Sequence, residues 1–395
     1  YSTFSLWDTF RAWHPLQSLV DTARVNDMIA SLLDMYDATG ELPVWPLASG
    51  ETGTMIGYHA VSVIADAYLK GIRGYDAGKA LDAMIRSSNI NKKGSEYYVA
   101  QGFIPSNVCR ESVSCALEYA YDDYCIAQAA KALGKMDDYQ QLMDLSKGWE
   151  RIYNEETNLI HPKWENGKFI ENFDPMQVWR GFQEGNAYQY TFYVPHDAQT
   201  LIAKMGKEEF VQRLDSIFII SQDKIFSGGK TINAFAGLQT YYNQGNQPCL
   251  HISWLFNQAG RYDLTQKWVR AILDEFYGTD GIHGYGYGQD EDQGQLGAWY
   301  VISSLGMFDV KGLADVDPVF SLGSTLFDKV TIRLNKDYYP GDTFVIEAHN
   351  NDKQHVYVKD YVWNGKELTS PEIRFKDVVS GGQLSVEMSD QPVVK

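Results

Sequence analysis

The chain has 395 residues, enough to bury a large core as one big domain or two modest ones. Its 34 Lys and Arg stand against 51 Asp and Glu, a formal charge of −17, so nucleic acid or an anionic membrane surface would be repelled. No apolar run approaches the roughly 18 residues of a membrane span, and Cys109, Cys115, Cys125 and Cys249 lack the CxxC or CxxH spacing of zinc and redox motifs, which leaves buried free thiols as their expected state.

Apolar spacing of three and four predicts helices over residues 17–37, 58–70, 77–88, 111–133, 136–152, 197–204, 207–219, 249–259, 264–277 and 294–305. The stretch from Glu111 to Leu133 carries the clearest stripe, Val113, Leu117, Ala120, Tyr121, Tyr124 and Ala127, and Gly134 follows as a left-handed terminator. No repeat supports an open solenoid. About ten helices, near the roughly twelve of six hairpins, predict a mainly α fold, an (α/α)6 toroid or barrel over residues 1–310. "KGLADVDP" (311–318) reads as a linker. From 318 to 395, "VTIRL", "TFVIEAH", "HVYVKDYVWNGKEL" and "QLSVEM" alternate apolar with polar residues and predict a smaller antiparallel β region, with a two-residue hairpin at Asn364-Gly365.

In a helical toroid the connecting loops gather at one end, where a concave site can form. In "RGFQEGNAYQYTFYVPHD" (180–197), Glu184 stands among Phe182, Tyr188, Tyr190 and Phe192, a lining that would desolvate its carboxyl and suit a general acid; a helix-start glutamate fits the segment as well. In "GYGYGQDEDQGQLGAWYV" (284–301), Asp290, Glu291 and Asp292 need a cation or a proton to relieve them. Asp290 and Asp292 could point one way and activate water while Glu291 points elsewhere, or all three could form a solvated helix N-terminus. "YYNQGNQPCLH" (241–251) offers amide oxygens that suit calcium, or a turn held by its own side chains. "FSLWDTFRAWHP" (4–15) sets Trp7 beside Asp8, Arg11 and His14, a set that fits stacking on a sugar and equally fits a structural network. His14, His59, His196 and His251 share no HxxxH spacing, which argues against a histidine metal site.

Taken together, "SLWDTFR" (5–11), "GTMIGYHAVSVIADAYLKG" (53–71), "SVSCALEYAYDDYCIA" (112–127), "EGNAYQYTFYVPHD" (184–197), "GNQP" (245–248) and "DEDQGQLGAWYVISSLG" (290–306) resemble glycoside hydrolase family 92, whose members are exo-acting α-mannosidases. The resemblance runs in order along essentially the whole chain. It implies calcium-dependent, inverting hydrolysis of terminal α-mannose from glycans, with Glu184 as general acid and Asp290 and Asp292 as the base that activates water. It further implies that Trp7, Asp8 and Arg11 grip the sugar, with Asn246 and Gln247 nearby, and that Asn246, Gln247 and Asp292 surround the ion. An extracytoplasmic location follows from the resemblance alone. Two departures stand out. Gln247 replaces the glutamate of the family's "GNEP", which should weaken calcium binding, and the family's amino-terminal β-sandwich is not in this chain, so a longer chain or another chain would supply it. A glucoside-specific (α/α)6 glycosidase and a non-catalytic glycan-binding relative are the alternatives.

Overall fold

The computed structural model describes residues 1–48, 50–90, 92–229, 235–278 and 291–394. Helices Trp13–Val20, Thr22–Thr39, Ala60–Leu69, Ala77–Ser88, Ser95–Gln101, Ser112–Ala132, Met136–Leu145, Ala198–Met205, Lys207–Gln222, Tyr262–Glu275 and Gln295–Ser304 carry the first part of the chain. They close into the (α/α)6 barrel that the spacing predicts. Three stretches differ from prediction, and one of them, 136–152, is helical only to Leu145 and continues as the 3-10 turn Gly148–Arg151. The 17–37 stretch breaks at Asp21, whose φ of −145° and ψ of 56° end one helix and start the next. The 249–259 stretch is a pair of 3-10 turns and a single helical turn, Leu255–Gln258, rather than one continuous helix. Ser95–Gln101, which the spacing does not predict, is bounded by Gly94 and Gly102 with φ of 82° and 78°.

The Ser112–Ala132 helix is not amphipathic in place: every residue from Ser112 to Ala130 is buried. Helices Ala60–Leu69, Ala77–Ser88 and Met136–Leu145 pack around it. Its carboxylates Glu118, Asp122 and Asp123 therefore have to be paired inside the protein. The ring closes where its two ends meet. Gln295 Oε1 accepts from Ala12 N at 3.3 Å and Trp13 N at 3.0 Å, and Gln293 Oε1 accepts from Ser5 N at 2.7 Å.

Beyond Gly306 the chain turns to strands. One sheet runs in the order 366–367, 357–363, 382–389, 343–349, 329–333. Its pairings are antiparallel except that Gly382–Ser389 lies parallel to Thr343–His349, so the antiparallel expectation misses one pair. Parallel neighbours need a crossover, which passes through strand Glu372–Arg374 and helix Phe375–Val379. The predicted hairpin is present: Asn364 and Gly365 have φ of 48° and 82°, and Trp363 pairs with Lys366. A second sheet joins Met307–Phe308, Val319–Leu322 and Glu372–Arg374. The connection at 311–318 is packed rather than loose. Leu313 and Ala314 are buried, Tyr121 donates to Lys311 O at 2.8 Å, and Tyr124 donates to Asp315 Oδ2 at 2.9 Å. All four cysteines are buried free thiols. No helix among the described residues is long and apolar enough to cross a membrane.

Candidate active site

The ring closure that ties Gln293 and Gln295 to residues 5–13 sets the neighbouring Asp292 near the first helical turn, Leu6–Thr9. Asp8 on that turn is 1% exposed and accepts from Trp45 Nε1 at 3.1 Å. Burial pushes the Asp8 carboxyl well above the usual carboxylate range; the charges of Asp292 and Glu184 push the same way, against Trp45 and Arg11. Asp292 and Glu184, distant from each other in sequence, thus both act on the Asp8 carboxyl.

Glu184 comes to this place on a tightly held loop. Val113 N and Ser114 N both donate to Gly181 O, at 2.9 and 3.0 Å. Asn186 caps the following turn by accepting from Tyr188 N and Gln189 N, and its amide donates to Leu238 O and Thr240 O at 2.9 Å each. Glu184 itself sits at φ 52°, a left-handed conformation uncommon outside glycine. Such strain is held by its surroundings, here by Asn246, whose Nδ2 donates to Glu184 O at 2.5 Å. The expected aromatic lining is largely a core feature. Phe182, Tyr190 and Phe192 are fully buried, packing against Phe173, Tyr193 and Phe210, and Tyr188 alone of the four is partly open.

Asp292 also has positive φ, 49°, and its Oδ2 accepts from Gln247 Nε2 at 2.7 Å. Its neighbour Glu291 turns to a different task, accepting from Gly297 N at 2.9 Å and so capping the Gln295–Ser304 helix. Asp290 lies outside the described residues. Asn246 and Gln247 are buried at 4% and 1%, each linked to one of the two proposed catalytic segments. The preceding amides are structural: Asn243 Oδ1 accepts from Ser227 Oγ and Gly245 N, and Gln244 bonds Tyr242 and Tyr277.

Trp7 and Arg11 are 1% and 6% exposed and belong to a buried network, the second of the two readings that the sequence left open. Trp7 Nε1 donates to Glu118 Oε1 at 3.0 Å, and Arg11 Nε donates to Trp7 O at 3.1 Å while its guanidinium lies over the Trp7, Phe10 and Tyr193 rings. Glu118, 0% exposed, is the hub. It faces Arg11 at 3.7 Å and His59 Nε2 at 3.0 Å, and accepts from Tyr193. Asp122 holds the other ring nitrogen of His59 at 2.7 Å. Burial alone would lower the His59 pKa, but Asp122 and Glu118 outweigh it and lift it to about 9. His14 is buried near Lys70 and depressed to about 3, chiefly by burial.

The oxygen donors of Asn246, Gln247 and Asp292 have the chemistry a hard cation accepts. Among the described residues there is no group of three His, Cys, Asp or Glu that could hold a metal, so an ion here would need amide, backbone or water oxygens among its ligands.

A model of the glycosyl hydrolase family 92 catalytic domain matches residues 1–390. The chain belongs to glycosyl hydrolase family 92. Among solved structures it is similar to a family 92 α-mannosidase from Bacteroides thetaiotaomicron, with a TM-score of 0.90 and 36% identity over 100% of this chain and 51% of that one. It is also similar to a family 92 inverting mannosidase from Bacteroides thetaiotaomicron VPI-5482, with a TM-score of 0.87 and 32% identity over 98% of this chain and 53% of that one. An uncharacterised secreted glycosidase of Arthroderma benhamiae is 25% identical over 92% of this chain and 49% of its own length. The chain thus spans about half the length of the relatives it matches. Glu118, Asp122 and Trp45 have no part in the sequence reading, and His59 enters it only in the argument against a histidine metal site. The available signal was carboxylates four apart in an otherwise apolar helix, a spacing that puts both on one face.

Proposed function

We propose that this chain carries the catalytic residues of an exo-acting α-mannosidase that removes terminal mannose from glycans with inversion. The observation that carries the reading is the convergence of Asp8, Glu184 and Asp292, each from a different segment, with each of the latter two acting on the first. In this reading Glu184 protonates the glycosidic oxygen as it leaves. Asp292, with Asp290 beside it in sequence, takes a proton from the water that attacks the anomeric carbon on the opposite face. An inverting pair needs its carboxyl groups about 6.5–9.5 Å apart to leave room for that water, which two separate loops suit better than one. Gln247 orients the base by holding Asp292 Oδ2, and Asn246 fixes the backbone of the acid. Asp8 bonds the sugar hydroxyls, with Trp7 and Arg11 as the buried support behind it.

Calcium held by Asn246, Gln247 and Asp292 would supply positioning of mannose hydroxyls. With an amide at Gln247 in place of a carboxylate, that affinity should be lower than in a site with one more charge. The secreted relative supports an extracytoplasmic place of action.

The test is to incubate the protein, with calcium, with α1,2-, α1,3-, α1,4- and α1,6-linked mannobioses and to follow the product by proton NMR. The β anomer of mannose appears first if the reading is right. First appearance of the α anomer would refute inversion, release of glucose from glucosides instead would favour the glucoside-specific alternative, and absence of any turnover would sink the enzymatic reading.

A further inference from the structure

We infer that Trp179 and Phe235 form a stacking platform for a sugar beyond the scissile bond, so that the protein recognises glycan chains longer than a disaccharide. The inference rests on the reading of Glu184 as proton donor, since the donor stands on the leaving-group side. Trp179 lies five positions before Glu184, so at about 3.3–3.6 Å per residue the two lie within roughly 18 Å of each other. The two rings meet edge to face, with centroids 6.4 Å apart.

Three features set this pair apart from ordinary surface aromatics. Trp179 holds φ at 63°, a genuine outlier for so bulky a residue, and such strain concentrates where function fixes a side chain. Phe235 is 59% exposed, although nearly every other phenylalanine in the barrel is buried. Arg110 holds Trp179, its guanidinium 5.2 Å from the ring and its Nε donating to Trp179 O at 3.3 Å. The loops are also tied to the site. Asn186 and Gln189 donate to Gly237, Leu238 and Thr240 carbonyls, which fixes the stretch after Phe235 to the turn after Glu184. A broad aromatic face suits the apolar face of a pyranose, whereas the protein's excess of carboxylates disfavours an anionic occupant.

The experiment compares Trp179→Ala and Phe235→Ala with the parent on α-linked mannobiose and mannotetraose of matched linkage. Phe235→Ala alters an exposed side chain and keeps the test open if the strained position at 179 tolerates no change. Each variant should lose roughly tenfold in kcat/KM on mannotetraose, about 1.4 kcal/mol, and less than twofold on mannobiose. In the Glu184→Gln background, calorimetric titration should show the same tenfold weakening for mannotetraose alone, which reads the platform even where no mannose is released. Equal losses on both sugars, no loss on either, or failure of the Glu184→Gln protein to bind mannotetraose would overturn the inference. So would conversion of a dimer to a monomer by these substitutions, which would make the patch a self-interface.

Discussion

The heaviest electrostatic commitment at the level of single residues is Glu118, which has no exposure and faces two cationic side chains. Removing one partner of a buried ion pair costs about 3–5 kcal/mol, against roughly 0–1 kcal/mol for an exposed pair. Glu118→Gln should therefore lower unfolding free energy in urea by about 3–5 kcal/mol, while breaking the exposed Lys79–Asp37 pair should change it far less. Equal effects would show that the hub is not ionised as drawn. His59 gives a pH signature. Its pKa rises on folding from 6.5 to about 9, so the charged form is stabilised. That contribution, about 3 kcal/mol, is complete below pH 6.5 and disappears as pH climbs through about 9. Replacing His59 with Gln should flatten the alkaline decline seen in urea unfolding at pH 6, 7.5 and 9, and an unchanged decline in the variant would remove His59 as its source. His14 works in the opposite sense, because burial and Lys70 depress it to about 3 and its contribution is lost as pH falls below 6.5. None of this was legible in the sequence. Glu118 and Asp122 announce a shared helix face, but which cation fills the space between them depends on residue 59, far away in the chain. The segments that hold Glu184, Asp292, Asn246 and Gln247 stood out by their glycine, carboxylate and amide content, but capped turns fitted that content equally well, and only the ordered resemblance to family 92 implied roles for these residues.

Among the elements, helices were the easiest to read and turns of one residue the hardest. The 77–88 prediction coincides with the observed helix because Asp76 caps it, accepting from Lys79 N at 3.0 Å, and its polar face is open. The 17–37 stretch kept its periodicity across Asp21, so apolar spacing alone could not reveal the break. The parallel pairing of Gly382–Ser389 was equally hidden, because alternation marks a strand without naming its neighbour. The Asn364-Gly365 hairpin, by contrast, is a local code. A methyl group at Gly365 would meet nothing within 4 Å, so Gly365→Ala carries only the cost of φ at 82°. That is about 1–2 kcal/mol, measurable as a lower urea midpoint with an unchanged slope. A variant as stable as the parent would mean that the turn does not require the left-handed conformation.

Viewed as one molecule, the barrel works by closing on itself. Residues 3–13 and 291–305 are joined by side-chain amides, and this seam sets Asp292 near Asp8 while the 181–189 loop brings in Glu184. Gln295 is wholly buried at the seam, and Gln295→Ala would leave the Ala12 and Trp13 N–H groups without their acceptor. A loss of about 1–3 kcal/mol is expected, with a fall in mannose release larger than that of an exposed substitution of equal stability cost. Activity unaffected by an opened seam would detach the site from the ring closure. The whole account rests on a proton donor and a water activator facing each other across this one site. Its most direct test is kcat/KM of Glu184→Gln and Asp292→Asn on α-mannobiose and on 2,4-dinitrophenyl α-mannoside, whose leaving group needs no proton. Glu184→Gln should lose about 10²–10⁴-fold on the first and little on the second, whereas Asp292→Asn should lose heavily on both; equal losses of Glu184→Gln on the two substrates, or none, would contradict the account.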